Sequence, residues 1–221
     1  MNPSPILVCF ALKEEARFLG RPQKSGGWQT LITGMGHANA ADGIRRSLPV
    51  VKPRLVITAG FAGGLNPELA VGTVVFDVDE ELEAGLGAKL LKLGAMPAKI
   101  HCAECVAVTA AEKQVLWQMT GADIVEMESS VIRSICREKK IPSATVRVVS
   151  DGAAEDLPLD FNALMTRDLR INYFKLAGIL IRSPKKIPQL MAFQKQTTSA
   201  ARQLGLILRE LMLDGRIGLD R

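Results

Sequence analysis

The chain has 221 residues, of which 48% are apolar and 23% charged, and it carries a net charge of +5. That composition is enough to bury the core of a single domain and excludes a disordered chain. No stretch reaches the roughly 18 consecutive apolar residues that span a bilayer, and the start MNPSPILVCFALKEE has neither a basic opening nor a small-residue cleavage site, so a cytoplasmic protein is expected.

Taken in order, Ile6 to Ala11 (ILVCFA) predicts a buried first strand, and Leu12 to Glu15 open a helix at its carboxyl end. Trp28 to Thr33 predicts a second strand ending in Gly34-Met35-Gly36, and His37 to Leu48 a helix with small residues on one side. Arg54 to Ala59 (RLVITA) reads as a third strand. It runs into Gly60-Phe61-Ala62-Gly63-Gly64, taken as a loop whose glycines let backbone approach a ligand. A fourth strand is expected over Val71 to Asp77, a helix over Glu81 to Leu93, a short strand over Cys105 to Thr109 and a helix over Ala111 to Met119. After residue 151 the pattern is helical: Phe161 to Arg170, Tyr173 to Arg182 and Pro188 to Met212. Strands alternating with helices and followed by terminal helices predict one domain over residues 1–221. Its expected architecture is α/β: three α/β/α layers around a central mixed, mostly parallel sheet, with a helical part over 157–221.

The densest chemistry lies between Ala122 and Gly152. Ile124 and Val125 end a strand, and Glu126 to Lys139 has helical spacing with Met127, Val131, Ile132 and Ile135 on one face. Ala144 to Val149 (ATVRVV) has the near-continuous β-branched pattern of a strand covered on both faces, and Ser150, Asp151 and Gly152 follow at its carboxyl end. Ligands of open parallel sheets bind at that edge, so Glu126, Glu128 and Asp151 are expected to converge on one crevice, with Glu15 as a fourth acid nearby. A single acid at a strand-to-helix turn is better read as a helix cap; three at successive turns favour a site.

Two other chemistries are weighed and set aside. Gly34-Met35-Gly36 has Asn39 where the dinucleotide pattern needs its third glycine. His101, Cys102 and Cys105 supply half of a zinc site with no second pair, while Cys9 and Cys136 fall in a strand and a helix as small hydrophobes. Neither a metal nor a cofactor is expected.

Five segments in order carry a family resemblance: Glu15 after the first strand; Thr33-Gly34-Met35-Gly36; Gly60-Phe61-Ala62-Gly63-Gly64-Leu65 followed by Val71-Gly72-Thr73-Val74-Val75; Val125-Glu126-Met127-Glu128; and Arg147-Val148-Val149-Ser150-Asp151. Over roughly residues 5 to 160 the chain resembles the nucleoside phosphorylase superfamily, in particular its methylthioadenosine/S-adenosylhomocysteine nucleosidase branch. Its C-terminal portion, with Leu157-Pro158 and Arg182-Ser183-Pro184, is more similar to the hopanoid-associated nucleosidases.

The resemblance implies cleavage of the N-glycosidic bond of a purine nucleoside, with adenine as the expected base and a substituent at the ribose 5′ position. Such a reaction builds positive charge on the sugar and negative charge on the base. Asp151 matches the general acid that protonates purine N7 and is expected to hold a proton at neutral pH. Glu128 matches the ribose-hydroxyl ligand, Met127 the residue under the sugar, and Glu15 the base that activates water; Glu126, Gly63, Phe61 and Ser150 complete the expected substrate contacts. Phe61 stands where relatives of this kind carry a Ser or Thr, and no early loop offers a phosphate cradle. That favours water over phosphate as nucleophile while leaving a phosphorylase open.

From Arg167 onward eleven basic residues face four acidic ones, a net +7 that exceeds the charge of the whole chain. This is either a solvated face or, with Leu180, Ile181, Leu190, Met191 and Phe193 interleaved among Lys185, Lys186 and Lys195, a surface for an anionic membrane. Nucleic acid is not an expected partner at 5% aromatic content and without a binding motif; a homodimer is. The reading from a different class is a catalytically inactive module that binds a nucleoside or a membrane on the same fold.

Overall fold

The computed structural model describes residues 4–21, 27–166 and 172–213. Its sheet has the order β2-β1-β3-β8-β4-β5, from β1 (Ile6–Phe10), β2 (Trp28–Ile32), β3 (Leu55–Gly64), β4 (Val74–Val78), β5 (Met96–Pro97) and β8 (Ser143–Asp151). Two short strands, β6 (Ile100–Cys102) and β7 (Ile124–Glu126), extend it, with β7 paired to the far end of β3. Pairing is parallel except for β4 with β8 and β7 with β3, so the sheet is mixed and mostly parallel as expected.

Side chains that alternate along a strand are sorted to opposite faces. Ile6, Val8 and Phe10 of β1, Leu55 and Ile57 of β3, and Ala144, Val146 and Val148 of β8 enter one core. That core is closed by Leu82, Leu86 and Leu90 from a helical segment made of α3 (Glu80–Leu82), a π turn (Glu83–Gly87) and α4 (Ala88–Lys92), and by Ala200, Leu204, Leu208 and Leu211 of the long C-terminal helix α9 (Lys186–Leu213). Leu7, Cys9 and Val56 point the other way and meet Ala40, Ile44 and Leu48 of α2 (Gly36–Val51) and Ile132, Ile135 and Cys136 of α6 (Ser129–Glu138). The three layers follow from this alternation. A four-residue helix α1 (Lys13–Ala16) leaves β1, and α5 (Ala110–Thr120), α7 (Phe161–Leu164) and α8 (Tyr173–Arg182) lie outside the main layers.

Several boundaries differ from expectation, each for a physical reason. The glycine run 60–64 is not a loop but the second half of β3: it continues the ladder with β8 and then pairs with β7, which few side chains would permit. The helix predicted from Glu126 starts at Ser129, because Glu126 belongs to β7 and its carboxylate accepts the Ser129 N–H. The strand expected over Cys105 to Thr109 is absent; its place in the sheet is taken by Ile100–Cys102, which pairs with β7. Of the helix predicted from Phe161 to Arg170 only Phe161–Leu164 is formed among the described residues, and Arg170 lies outside them. Ser150 and Asp151 end β8 instead of following it; the register skips Ser150 between Val149 and Asp151, and such a bulge re-aims side chains at a strand end.

The helix α9 crosses the segment after α1 closely. A Cβ on Gly205 would lie 2.5 Å from Phe18 Cβ and 2.8 Å from its backbone carbon. Gly205→Ala is therefore expected to destabilise the protein by about 1–3 kcal/mol through overpacking, measured by urea unfolding. An unchanged midpoint would mean that this helix is not held at that crossing.

Candidate active site

The carboxyl ends of β1, β3 and β8 face β7 and the start of α6 across a cavity of ≈ 690 Å³. Every residue singled out from the sequence lines it: Glu15, Phe61, Gly63, Glu126, Met127, Glu128, Ser150 and Asp151. Leu157, Phe161, Phe193 and Thr197, from the C-terminal part, close its other side. A second cavity, ≈ 570 Å³, lies by the π turn among Phe76, Asp77, Glu83 and Lys99, away from these residues.

Beneath the acids lies a guanidinium that the sequence reading did not assign. Arg147 points inward from the middle of β8 and is 1% exposed. Its Nη2 is 2.5 Å from Glu126 Oε2, 2.9 Å from Thr58 Oγ1 and 3.5 Å from Glu128 Oε2. An arginine stays charged even when buried, so it compensates the acids around it. The sequence signal was present: Arg147 is the one charged residue inside an otherwise apolar and β-branched strand.

The acids then divide by environment. Glu126 accepts from Arg147, the Glu128 N–H (2.9 Å), and the Ser129 N–H and hydroxyl (2.6 Å for the latter). Burial alone would raise its pKa, but Arg147 and these donors bring it below the usual carboxylate value. Both of its oxygens accept hydrogen bonds from protein groups, while the residue lines the cavity as expected. Glu128 accepts the Gly36 N–H at 2.8 Å; burial pushes its carboxyl up, with Arg147 opposing and Glu126 adding.

Glu15 is held differently. One oxygen accepts the Phe61 N–H and the other the Leu12 N–H, both at 2.8 Å. Burial pushes its carboxyl up to about 7 despite the pull of Arg147 and the two N–H groups. Gly60 makes room for it: with φ at 156°, a Cβ there would sit 2.5 Å from Glu15 Oε1 and 2.7 Å from Arg147 Nη1. The Phe61 side chain is half-buried against the main core.

Asp151 carries the second surprise. Its Oδ2 lies 2.6 Å from Nζ of Lys113, a lysine with no solvent exposure, and its Oδ1 accepts from Ser150 Oγ at 2.5 Å. The sequence reading gave Asp151 no cationic partner; the structure sets the Lys113 ammonium beside it. Lys113 gave no signal in the sequence, since it sits among polar neighbours on α5, whose other residues are half-buried or exposed. Gly63 fits between these groups, as its Cβ would meet Asp151 Oδ2 and Val125 Cγ1 at 3.3 Å.

Cys102 Sγ lies 3.1 Å from His37 Nε2, Cys105 is exposed, and both thiols are free. Burial pushes the Cys102 thiol up to about 12, which disfavours the thiolate a metal would need.

Residues 98–181 match the family model of the phosphorylase superfamily, the family whose resemblance the motifs carry. The fold is shared with solved nucleosidases: a 5′-methylthioadenosine/S-adenosylhomocysteine nucleosidase of Campylobacter jejuni superposes with a TM-score of 0.68 at 15% identity, covering 96% of this chain and 99% of that one. The corresponding enzyme of Helicobacter pylori gives 0.67 at 16% identity over 96% and 98%, and the futalosine hydrolase of the same organism 0.66 at 15% over 96% and 97%. In sequence, the chain is 26% identical over 166 residues to the 5′-methylthioadenosine/S-adenosylhomocysteine nucleosidase of Glaesserella parasuis, covering 61% of this chain and 72% of the relative.

Removing the buried guanidinium would leave Glu126 and Glu128 without compensation. Arg147→Met is expected to cost about 3–5 kcal/mol of stability, read from urea unfolding at neutral pH. A loss under about 1 kcal/mol would show that the acids are not held by this cation.

Proposed function

We propose that this single-domain chain is an enzyme that cleaves the N-glycosidic bond of a purine nucleoside, with adenine as base, by hydrolysis. The observation that carries this reading is the convergence of Glu15, Glu128 and Asp151 on one largely apolar cavity of a size usual for small-molecule sites. Asp151, in its acid form, protonates purine N7 as the bond breaks, so the base departs neutral. Glu128 grips the ribose hydroxyls, Met127 lies under the sugar, and Glu15 takes a proton from the attacking water. Phe61, Gly63 and Ser150 shape the pocket, Ser150 through its bond to Asp151.

Water is favoured over phosphate by charge. Glu14, Glu15, Glu126, Glu128 and Asp151 line the cavity, and no lysine, arginine or histidine does among the described residues. A phosphate dianion would meet carboxylates there, with Arg147 and Lys113 already engaged by them. Leu157, Phe161 and Phe193 fit an apolar 5′ substituent, the form that a hopanoid-associated substrate would take.

Incubation with methylthioadenosine, S-adenosylhomocysteine and adenosine, with and without phosphate, tests the reading. Free adenine without phosphate is expected. Release only with phosphate would mark a phosphorylase, and binding without release an inactive module. Asp151→Asn should abolish release and spare ligand binding, whereas Glu128→Ala should raise KM as well as lower kcat. Because Glu15 must be ionised to act as a base, the rate should fall as pH drops through about 7. Glu15→Gln should remove that limb and lower kcat by about 10²–10⁴; a rate independent of pH between 6 and 8 in the unmodified enzyme, at roughly the pH span the group titrates over, would remove Glu15 from the mechanism.

A membrane contact is a second reading, supported by the C-terminal helices. No acidic residue occurs between Asn172 and Arg209, the first half of α9 has no buried residue before Ala200, and Ile181 and Met191 are 80% and 65% exposed near Arg182, Lys185 and Lys186. Co-sedimentation with phosphatidylglycerol vesicles but not with phosphatidylcholine vesicles is expected; equal partition to both would dismiss it. A homodimer is the proposed assembly, and a monomer mass in light scattering would dismiss that.

A further inference from the structure

Lys113 is the one fully buried residue on α5, an otherwise half-exposed helix whose hydrophobic side chains Val115, Trp117 and Met119 face outward. Burying an ammonium is costly unless every donor is met. Here all three are: Nζ donates to the Gly152 carbonyl and the Glu155 carbonyl, both at 2.8 Å, and lies 2.6 Å from Asp151 Oδ2. The lysine thus grips both the acid and the turn that follows it. That turn is closed further by Glu155 Oε2, which accepts the Gly152 N–H at 3.0 Å and Gln196 Nε2 of α9 at 3.0 Å.

The other charged groups around Asp151 do not duplicate this. Glu15, Glu126 and Glu128 face the same cavity and repel a carboxylate, and Arg147 is engaged with Glu126 and Glu128. Among the described residues Lys113 is the cation in ion-pair contact with Asp151.

Resting on the reading above, we infer that Lys113 is a positioning residue for the reaction, fixing Asp151 and its turn and supplying the countercharge for the carboxylate that remains once the proton has left. The step balances as follows. The glycosidic electron pair goes to the base, whose N7 takes the proton of Asp151. Water adds to the sugar carbon and gives a proton to Glu15. Asp151 ends as a carboxylate in a cavity crowded with other acids, and without the ammonium that product would be a buried, unpaired charge. Solvent then returns one proton from Glu15 to Asp151.

The test uses the full chain with methylthioadenosine as probe. In Lys113→Met, kcat should fall about tenfold or more with KM within about twofold. The limb on which activity is lost at high pH should move upward, because the ammonium beside Asp151 is gone. Lys113→Arg retains the charge, so its high-pH limb should stay where the unmodified enzyme has it even if kcat drops; this variant carries the test should Lys113→Met not fold. An unmoved limb in Lys113→Met or a moved limb in Lys113→Arg would overturn the inference while leaving Asp151 as the acid. An unmodified enzyme that releases no base would overturn both.

Discussion

A charged guanidinium in the centre of a β-sheet is stable only if its neighbours are arranged around it, and Arg147 imposes that arrangement here. It reaches Glu126 and Glu128 directly and influences Glu15 through the field they share. Once it is in place, three carboxylates from β7, the start of α6 and α1 can sit within one cavity without mutual repulsion driving them apart. Gly60 belongs to the same constraint, since a side chain there would push Glu15 and Arg147 away from each other. The strand that supplies Arg147 also ends in Ser150 and Asp151, so one element sets the support and the proposed acid at once.

The acids are matched to different tasks by their surroundings. Glu126 is saturated with donors and stays ionised, which makes it a brace. Glu15 has two backbone N–H partners but deep burial, so its carboxyl is poised near neutrality, where a general base works best. Asp151 is set apart by its contact with Lys113. Two buried cations thus hold different acids of the cavity, Arg147 at Glu126 and Glu128 and Lys113 at Asp151, while Phe161 and Phe193 line it from the C-terminal part.

Much of this was legible in the sequence because it rests on short-range patterns. Strands covered on both faces announce themselves by unbroken apolar runs, as in ILVCF and ATVRVV, and the carboxyl ends of such strands locate the ligand edge before any coordinates exist. What escaped was set by long-range packing. Nothing local says that Gly60 to Gly64 continue a strand, because the reason is pairing with the distant strands β8 and β7. Lys113 could not be found from its surroundings in the chain, since its partners are the turn at Gly152 to Glu155 and Asp151. The ion pair of Glu126 was equally hidden, since its partner Arg147 lies on another strand.

The central claim is that separate acids act on one bound nucleoside, and a crystal structure of the Asp151→Asn variant with methylthioadenosine tests it most directly. The account predicts the ribose hydroxyls within hydrogen-bond distance of Glu128, purine N7 facing the residue 151 side chain, and Glu15 on the side of the sugar from which water attacks. A ligand bound elsewhere, or one lying in this cavity with N7 turned away from position 151, would contradict it.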